Sequence, residues 1–262
     1  MKPLYYFRGA ALAAGLLLSS LAHAQTRFGI GPSVGLNVSS ASYSSAFHSY
    51  HTTWSTGAEG GVLAEASRQH LGLQMALLLS QKGFGIDDEQ HSDDGRGNSS
   101  HSYTEARYRL NYLTIPLNAV YSLRADGQGI QVFAGGYLGV LLGGNYDRKD
   151  SHSTTFTGGI RGGSSTEAGA VVGGDYFPNN SSVYGFPDTK FYSRALDAGL
   201  QGGLGYRFGR ALVQVTYSQG LRNLAADKEY GVGASRQILS SDLVYRNRVI
   251  QAALSYLMLP RH

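Results

Sequence analysis

The 262-residue chain contains no cysteine, few charged residues and, after its first 24 residues, no long apolar run. The absence of cysteine excludes disulfides, thiolate-bound zinc and a lipidated N-terminal cysteine. No later apolar run approaches 18 residues, which excludes a helical membrane protein. With 15% charged residues and a net charge of +4, the chain also lacks the basic surplus expected of nucleic-acid binding. Glycine (36 residues) and tyrosine (18) are abundant instead, a mixture that suits β-strands.

The first 24 residues have the pattern of a secretory signal peptide. Lys2 and Arg8 give a positive start, and Gly9 to Leu21 is an apolar stretch too short to span a bilayer as a helix. Ala22-His23-Ala24 is a small-x-small cleavage site. We therefore expect residues 1–24 to be removed and residues 25–262 to form one domain.

The rest of the chain is dominated by period-two alternation. From Phe28 to Val38 the even positions are apolar and the odd positions are small or polar, which indicates a β-strand with two different faces. Similar alternation predicts eight strands, near residues 27–38, 57–68, 71–84, 107–123, 130–144, 195–208, 211–221 and 248–259. In the fourth strand the phase changes: Tyr108, Leu110 and Tyr112 do not match Leu113 and Ile115, so we expect a β-bulge near Tyr112.

The connections alternate in length. Those at 39–56, 85–106, 145–194 and 222–247 are long and polar, whereas those at 69–70, 124–129 and 209–210 are short. Short periplasmic turns and long extracellular loops are typical of outer-membrane barrels. The sequence therefore predicts an all-β fold: a transmembrane, antiparallel, up-and-down β-barrel of about eight strands in the outer membrane.

Two alternatives to this barrel stay open at this point. The third loop is long enough to hold its own hairpin, with 154–160 and 168–172 as short strands above the membrane. A count of ten strands follows if these two stretches continue the wall instead, although neither reaches the 9–11 residues of a membrane strand. A soluble barrel of the lipocalin kind would alternate in the same way with its apolar face inward. The glycine-rich polar face, the long strands and the aromatic residues near strand ends favour the membrane barrel.

Several segments together resemble the PorT-like outer membrane β-barrel family. The segments are Leu77–Gly83, Leu110–Leu117, Ala134–Gly139, Gly203–Phe208 and Asn247–Gln251. The resemblance covers nearly all of the chain after residue 24 and implies an outer-membrane barrel of about eight strands. It implies no catalytic or ligand-binding residues, and one branch of the family is linked to the secretion of other proteins. The long third loop, 145–194, departs from the family pattern.

The polar face of the strands predicts a network inside the barrel. Its members are Glu59, Glu65, Gln74, Lys82, Asp197, Gln201 and Arg207. In a barrel of eight strands the interior is just wide enough for side chains, so we expect these residues to pair and fill the lumen. The alternative is a narrow transport pore that these charges line.

The loops offer little sign of other chemistry. His91, His101 and the acidic run Asp87 to Asp94 match no metal-ligand spacing, so we expect no metal and no cofactor. Ser67 and His70 flank a turn without an acid to orient the histidine, so an outer-leaflet lipid hydrolase is a weak alternative and we expect no enzyme. The expected function is a structural or interaction role, with membrane lipid and surface or periplasmic proteins as partners. The sequence leaves the oligomeric state open.

Overall fold

The computed structural model describes residues 26–45, 49–95, 97–156, 158–174, 190–226, 228–232, 235–239 and 243–258. The predicted signal peptide lies outside these residues. Within the described ranges, no helix is long and apolar enough to cross a membrane. The secondary structure consists of strands, turns and short irregular connections.

Twelve strands occur in the described residues. They are β1 (Arg27–Ser44), β2 (Thr52–Arg68), β3 (Leu71–Asp93), β4 (Ser99–Ser122), β5 (Gly129–Phe156), β6 (Gly159–Gly173), β7 (Lys190–Ser193), β8 (Leu196–Phe208), β9 (Ala211–Gly220), β10 (Lys228–Val232), β11 (Ser235–Leu239) and β12 (Val244–Tyr256).

Eight of these strands close into a ring. The order around the ring is β1-β2-β3-β4-β5-β8-β9-β12, with β12 paired to β1, and every neighbouring pair is antiparallel. The short connections are two-residue turns at Gln69-His70 and Gly209-Arg210 and a longer turn at 123–128. The prediction of an antiparallel barrel with this rhythm of short and long connections is confirmed.

The whole sheet has ten strands because β6 and β7 are attached to the upper end of β5. Strand β5 pairs with β8 up to Val140, and from Gly144 to Phe156 it pairs with β6 instead. Strand β6 in turn pairs in parallel with β7, which leads into β8. The upper end of β5 and strand β6 therefore form a hairpin above the eight-stranded ring, with β7 added at its outer edge. The remaining pair, β10 and β11, forms a separate two-stranded sheet.

The outward side chains of the ring form an apolar band. It extends along β1 from Phe28 to Val38, along β3 from Leu71 to Leu79 and along β4 from Leu113 to Leu123. At the end of the barrel that carries the short turns, five aromatic side chains border this band, each about half exposed: Phe28, Tyr121, Tyr206, Phe208 and Tyr256. Membrane-spanning barrels contact lipid through an apolar band of this kind, bordered by aromatic residues.

Above the apolar band the two faces of the wall exchange polarity. In β4, Tyr108, Leu110 and Tyr112 are buried inside the barrel, whereas Arg107 and Arg109 are exposed outside it. Strand β4 keeps one phase throughout, so the expected change of phase within it is wrong. The change in hydrophobic pattern arises because this half of the strand stands in water and packs its apolar face inward.

A bulge does occur at the predicted level, but the extra residue belongs to the neighbouring strand. Asn111 pairs with Gly143 and Tyr112 with Leu141, which leaves Leu142 of β5 without a partner in β4. Gly143 has a φ of 142°, a conformation that favours glycine. The bulge shifts the phase of β5, so that Leu141 and Tyr146 both point inward.

Two connections predicted as long loops are largely strand. The predicted loop 85–106 consists of the upper ends of β3 and β4 around a tip at 94–98, and 145–194 contains the end of β5, β6 and β7. These stretches were misjudged because their polar composition suggests a solvated loop. A β-ribbon outside the membrane has the same composition on its exposed face.

Candidate functional site

The interior of the ring carries the seven polar residues predicted from the sequence, and side chains from opposite walls meet there. Six of them are buried and Gln201 is half-buried. Period-two alternation places them inside because their strand neighbours on either side face the lipid. They form three groups at different depths.

The group nearest the short turns is centred on Glu65. Arg207 donates to a carboxylate oxygen of Glu65 at 2.5 Å, and Gln74 donates to the same oxygen at 2.6 Å. Gln214 donates to Gln74 at 3.0 Å. Glu65 and Arg207 belong to strands on opposite sides of the ring, β2 and β8, so their ion pair spans the lumen.

An apolar cluster lies beside and above this group. It consists of Leu63, Ala76, Leu78 and Leu212, all with less than a tenth of their surface exposed, with Leu257 packed against them. Ala76 and Leu78 occupy the positions between Gln74 and Ser80 on β3. Leu212 pairs in register with Arg207, and Leu63, Ala76 and Leu78 border one internal cavity together with Gln214 and Glu59. The apolar cluster therefore lies among the polar residues of the lumen and fills the space between them.

The middle group is centred on Glu59. Gln251 and Ser80 donate to its carboxylate, the latter at 3.4 Å. Gln201 donates to the side-chain oxygen of Asn118 at 2.8 Å on the other side of the barrel. These residues border an internal cavity of about 50 Å³, which is room for a few water molecules.

The upper group is centred on Asp197, which is fully buried. The ammonium group of Lys82 is 3.6 Å from its carboxylate, Asn247 donates to it at 2.9 Å and the Tyr137 hydroxyl donates at 3.3 Å. Lys82 also lies over the rings of Tyr112 and Tyr137, 5.0 and 4.7 Å from their centroids. The lysine is thus surrounded by an opposite charge and two aromatic faces.

Above Lys82 the interior becomes a hydrophobic core. Phe84 stacks on Tyr108 with ring centroids 4.6 Å apart, and Tyr108 contacts Phe191 at 4.7 Å. Burial raises the pKa of Tyr108 to about 12, so its hydroxyl stays neutral in this core. Tyr43, Tyr146 and Tyr245 belong to the same cluster.

The sequence analysis missed the polar residues that complete the three groups. Asn118, Tyr137, Gln214, Asn247 and Gln251 all face inward and bond to the predicted seven. Gln214 and Gln251 share the inward phase of their strands, which is a signal that could have identified them. Asn247 was missed because its strand was predicted to begin one residue later.

The other candidate residues have simple structural partners. The Nδ1 atom of His70 is 2.8 Å from the backbone oxygen of Ser122, and its ring stacks on Tyr121. In the acidic run, Glu89 is 2.6 Å from the Nε2 atom of His101 across the β3–β4 hairpin. In the part of the chain that the structure describes, no group of three or more acidic or histidine residues is placed to hold a metal ion.

Comparison with known proteins points to one family. The model of a family described as outer membrane protein β-barrel domain matches residues 23–226. Among solved structures, Ail, the attachment invasion locus protein of Yersinia pestis, in complex with the heparin analogue sucrose octasulfate, is 8% identical with a TM-score of 0.36, over 89% of this chain and 99% of Ail. Neisserial surface protein A is 11% identical with a TM-score of 0.30, over 86% and 96% of the two chains. No curated protein matches the sequence.

Proposed function

This chain belongs to the outer membrane protein β-barrel domain family and lies in the outer membrane, and from that premise we propose that it is a closed barrel that binds a partner protein outside the cell. The proposal has two parts: the lumen is filled and does not conduct, and the part of the barrel above the apolar band is the binding element. The second part carries the function.

The filled lumen is supported by the contacts that span it. The Glu65–Arg207 and Lys82–Asp197 pairs each connect strands that are not neighbours in the ring, and Leu63, Ala76 and Leu78 of the apolar cluster lie at levels between them on β2 and β3. An ion would have to displace paired charges and pass the apolar side chains packed beside them, both of which cost free energy. We propose that the seven predicted residues act as a plug and not as a pore.

The binding element is a four-stranded sheet that extends above the apolar band. It is formed by the upper ends of β3, β4 and β5 together with β6. Its two outer edges differ. On β3, from Asp87 to Asp93, the edge carries Asp87, Asp88, Glu89 and Asp93, and charges of this kind prevent unwanted strand pairing.

The opposite edge, on β6, has little such protection. From Gly159 to Ala168 every residue is exposed, and Arg161 and Glu167 are the only charged ones. Among the described residues no strand pairs with this edge before Ala170, where β7 begins to pair. An unpaired edge with few charges and many small residues suits the addition of an extended strand from another protein. This edge is the observation that carries the proposed function.

The proposal is tested by placing a photo-crosslinking residue at Ser164 on β6 in the full-length protein in living cells. We expect a discrete protein adduct at this position. The matched control is Ser100 on β4, which is also exposed but has strands paired on both sides. A second variant, Ser165→Lys, adds a charge to the edge and should abolish the adduct. Equal crosslinking at Ser164 and Ser100, or none at Ser164, would contradict the proposal.

Three narrower statements belong to the same proposal. We propose that residues 1–24 are a cleaved signal peptide, so that mass spectrometry of the purified protein should find Gln25 at the N-terminus.

We propose a non-enzymatic role, since the His70 ring bonds to backbone and stacks on Tyr121. We also propose membership of the PorT-like branch, in which case the crosslinked partner is expected to be a secretion component or its cargo.

A further inference from the structure

A row of side chains crosses the outward face of the barrel at the upper margin of the apolar band. Arg248 on β12 pairs with Ser40 on β1 and with Gln219 on β9. On the far side of β1, Ser40 donates to Thr52 of β2 at 3.4 Å, and Trp54, two residues along β2, is about half exposed where the β1–β2 pairing ends. Arg246 lies one step higher on β12, opposite Ser42.

The residues beneath and beside this row indicate its depth in the membrane. Directly below Arg248, Ile250 pairs with Val38 and Tyr217, and all three are exposed apolar or aromatic side chains. Tyr217, the partner of Ile250 on β9, and Trp54, at the end of the β1–β2 pairing, are each about half exposed. Tryptophan and tyrosine collect at the level of lipid headgroups, so the two arginines are at that level in the outer leaflet.

The charge around the two arginines is unbalanced. Among the described residues, the outward faces of β1, β2, β9 and β12 carry no acidic side chain. On the other side of the barrel the situation is different, because Arg107 forms an ion pair with Glu105 at 3.2 Å and is paired in register with Asp147. Arg246 and Arg248 are exposed and are surrounded by serine, glutamine and aromatic residues.

From this arrangement we infer that Arg246 and Arg248 bind the phosphate of an outer-leaflet lipid headgroup, with Ser42 and Gln219 as hydrogen-bonding neighbours. Arginine suits this role because its planar group donates two parallel hydrogen bonds to phosphate oxygens. The acyl chains would then lie on the apolar surface below, along Ile250, Ala252 and Leu254. The inference depends on the outer-membrane location and is independent of the proposed partner strand at β6.

The test uses the full-length protein in nanodiscs of zwitterionic lipid, titrated with bisphosphorylated lipid A or with the same lipid after removal of its phosphates. We expect tighter binding of the phosphorylated form. The double variant R246Q/R248Q should weaken that binding roughly 30-fold, since each basic side chain near an anionic surface contributes about fivefold. The matched control R107Q removes an arginine from the opposite side that already has acidic neighbours, and it should leave binding unchanged.

The outcomes separate the lipid from other sources of phosphate. Equal binding of the two lipids by the wild type would overturn the inference, and this comparison holds even if the double variant does not fold. An equal loss in R107Q would show that general charge, and not this site, attracts the lipid. Inorganic phosphate at millimolar concentration should not compete with lipid A. If it competes fully, the site recognises free phosphate and the lipid assignment is wrong.

Discussion

Glycine on the inward face of β8 makes room for aromatic rings from β5. Gly199 pairs with Tyr137 and Gly203 pairs with Phe133, and the two rings extend over these glycines into the lumen. A methyl group at Gly199 would come within 2.2 Å of the backbone oxygen of Gln219 on β9 and within 2.7 Å of the Tyr137 ring. The small residues of this face are therefore part of the packing of the lumen, and Tyr137 could not reach Asp197 in its present position without them.

We expect Gly199→Ala to destabilise the barrel by about 1–3 kcal/mol, the usual cost of adding a methyl group to a full interior. The measurement is the urea dependence of unfolding in lipid vesicles. Gly60→Ala on β2 is the matched control, because the nearest atom to its added methyl group is 3.9 Å away. Equal stability of the two variants would mean that the lumen around Tyr137 is loosely packed.

The Glu65–Arg207 pair predicts a second effect at a single residue. Arg207→Gln leaves Glu65 buried without its cation, and breaking a buried pair in this way typically costs about 3–5 kcal/mol. The double variant Glu65→Gln/Arg207→Gln removes both charges and should recover much of that loss. Arg124→Gln, which breaks the exposed Arg124–Asp126 pair in a turn, should change unfolding little. If the double variant is as unstable as the single one, the charge on Glu65 is not the cause.

At the level of strands, the important feature is the exchange of polarity along β3, β4 and β5. The lower half of each strand is apolar outside and carries polar, small or aromatic side chains inside, whereas the upper half is polar outside and packs apolar and aromatic side chains inside. Alternation identified the lower halves because period two is a local property of the sequence. It failed above Lys82 and Tyr112, because the phase of an alternating pattern does not reveal which side of a strand faces water. Only the pairing of neighbouring strands decides that.

The upper sheet also predicts a difference in hydrogen exchange between its strands. In the purified protein, we expect the amides of β6 from Gly159 to Gly169 to exchange faster than those of β4 from Ser99 to Arg109. Strand β4 has neighbours on both sides, whereas β6 has only β5 over this range. Mass spectrometry of peptides after timed exchange measures the difference. Equally slow exchange of the β6 peptides would show that something covers this edge.

For the molecule as a whole, the sequence was sufficient to predict the barrel but not how far its strands extend above the membrane. The eight wall strands and their short turns are encoded by alternation and by turn residues, and both signals are local. The extension above the membrane was hidden in segments that look like polar loops, and β6 was considered only as a short hairpin. The lumen groups could be predicted only in part. Alternation identified seven of the inward residues, but which of them contact each other depends on the pairing of strands that are distant in sequence.

A barrel filled in this way is expected not to conduct ions. In planar bilayers, we expect the wild type to give no steady current under conditions in which a 16-stranded porin gives large ones, because a wide aqueous channel requires that larger ring. Arg207→Ala should also remain silent, since Leu63, Leu78 and the Lys82–Asp197 pair still fill the lumen above it. A steady wild-type current whose ion selectivity changes in Glu59→Ala would contradict the plug and favour the narrow pore. The lumen charges would then line a path, and the upper aromatic cluster around Tyr108 would have to open during conduction.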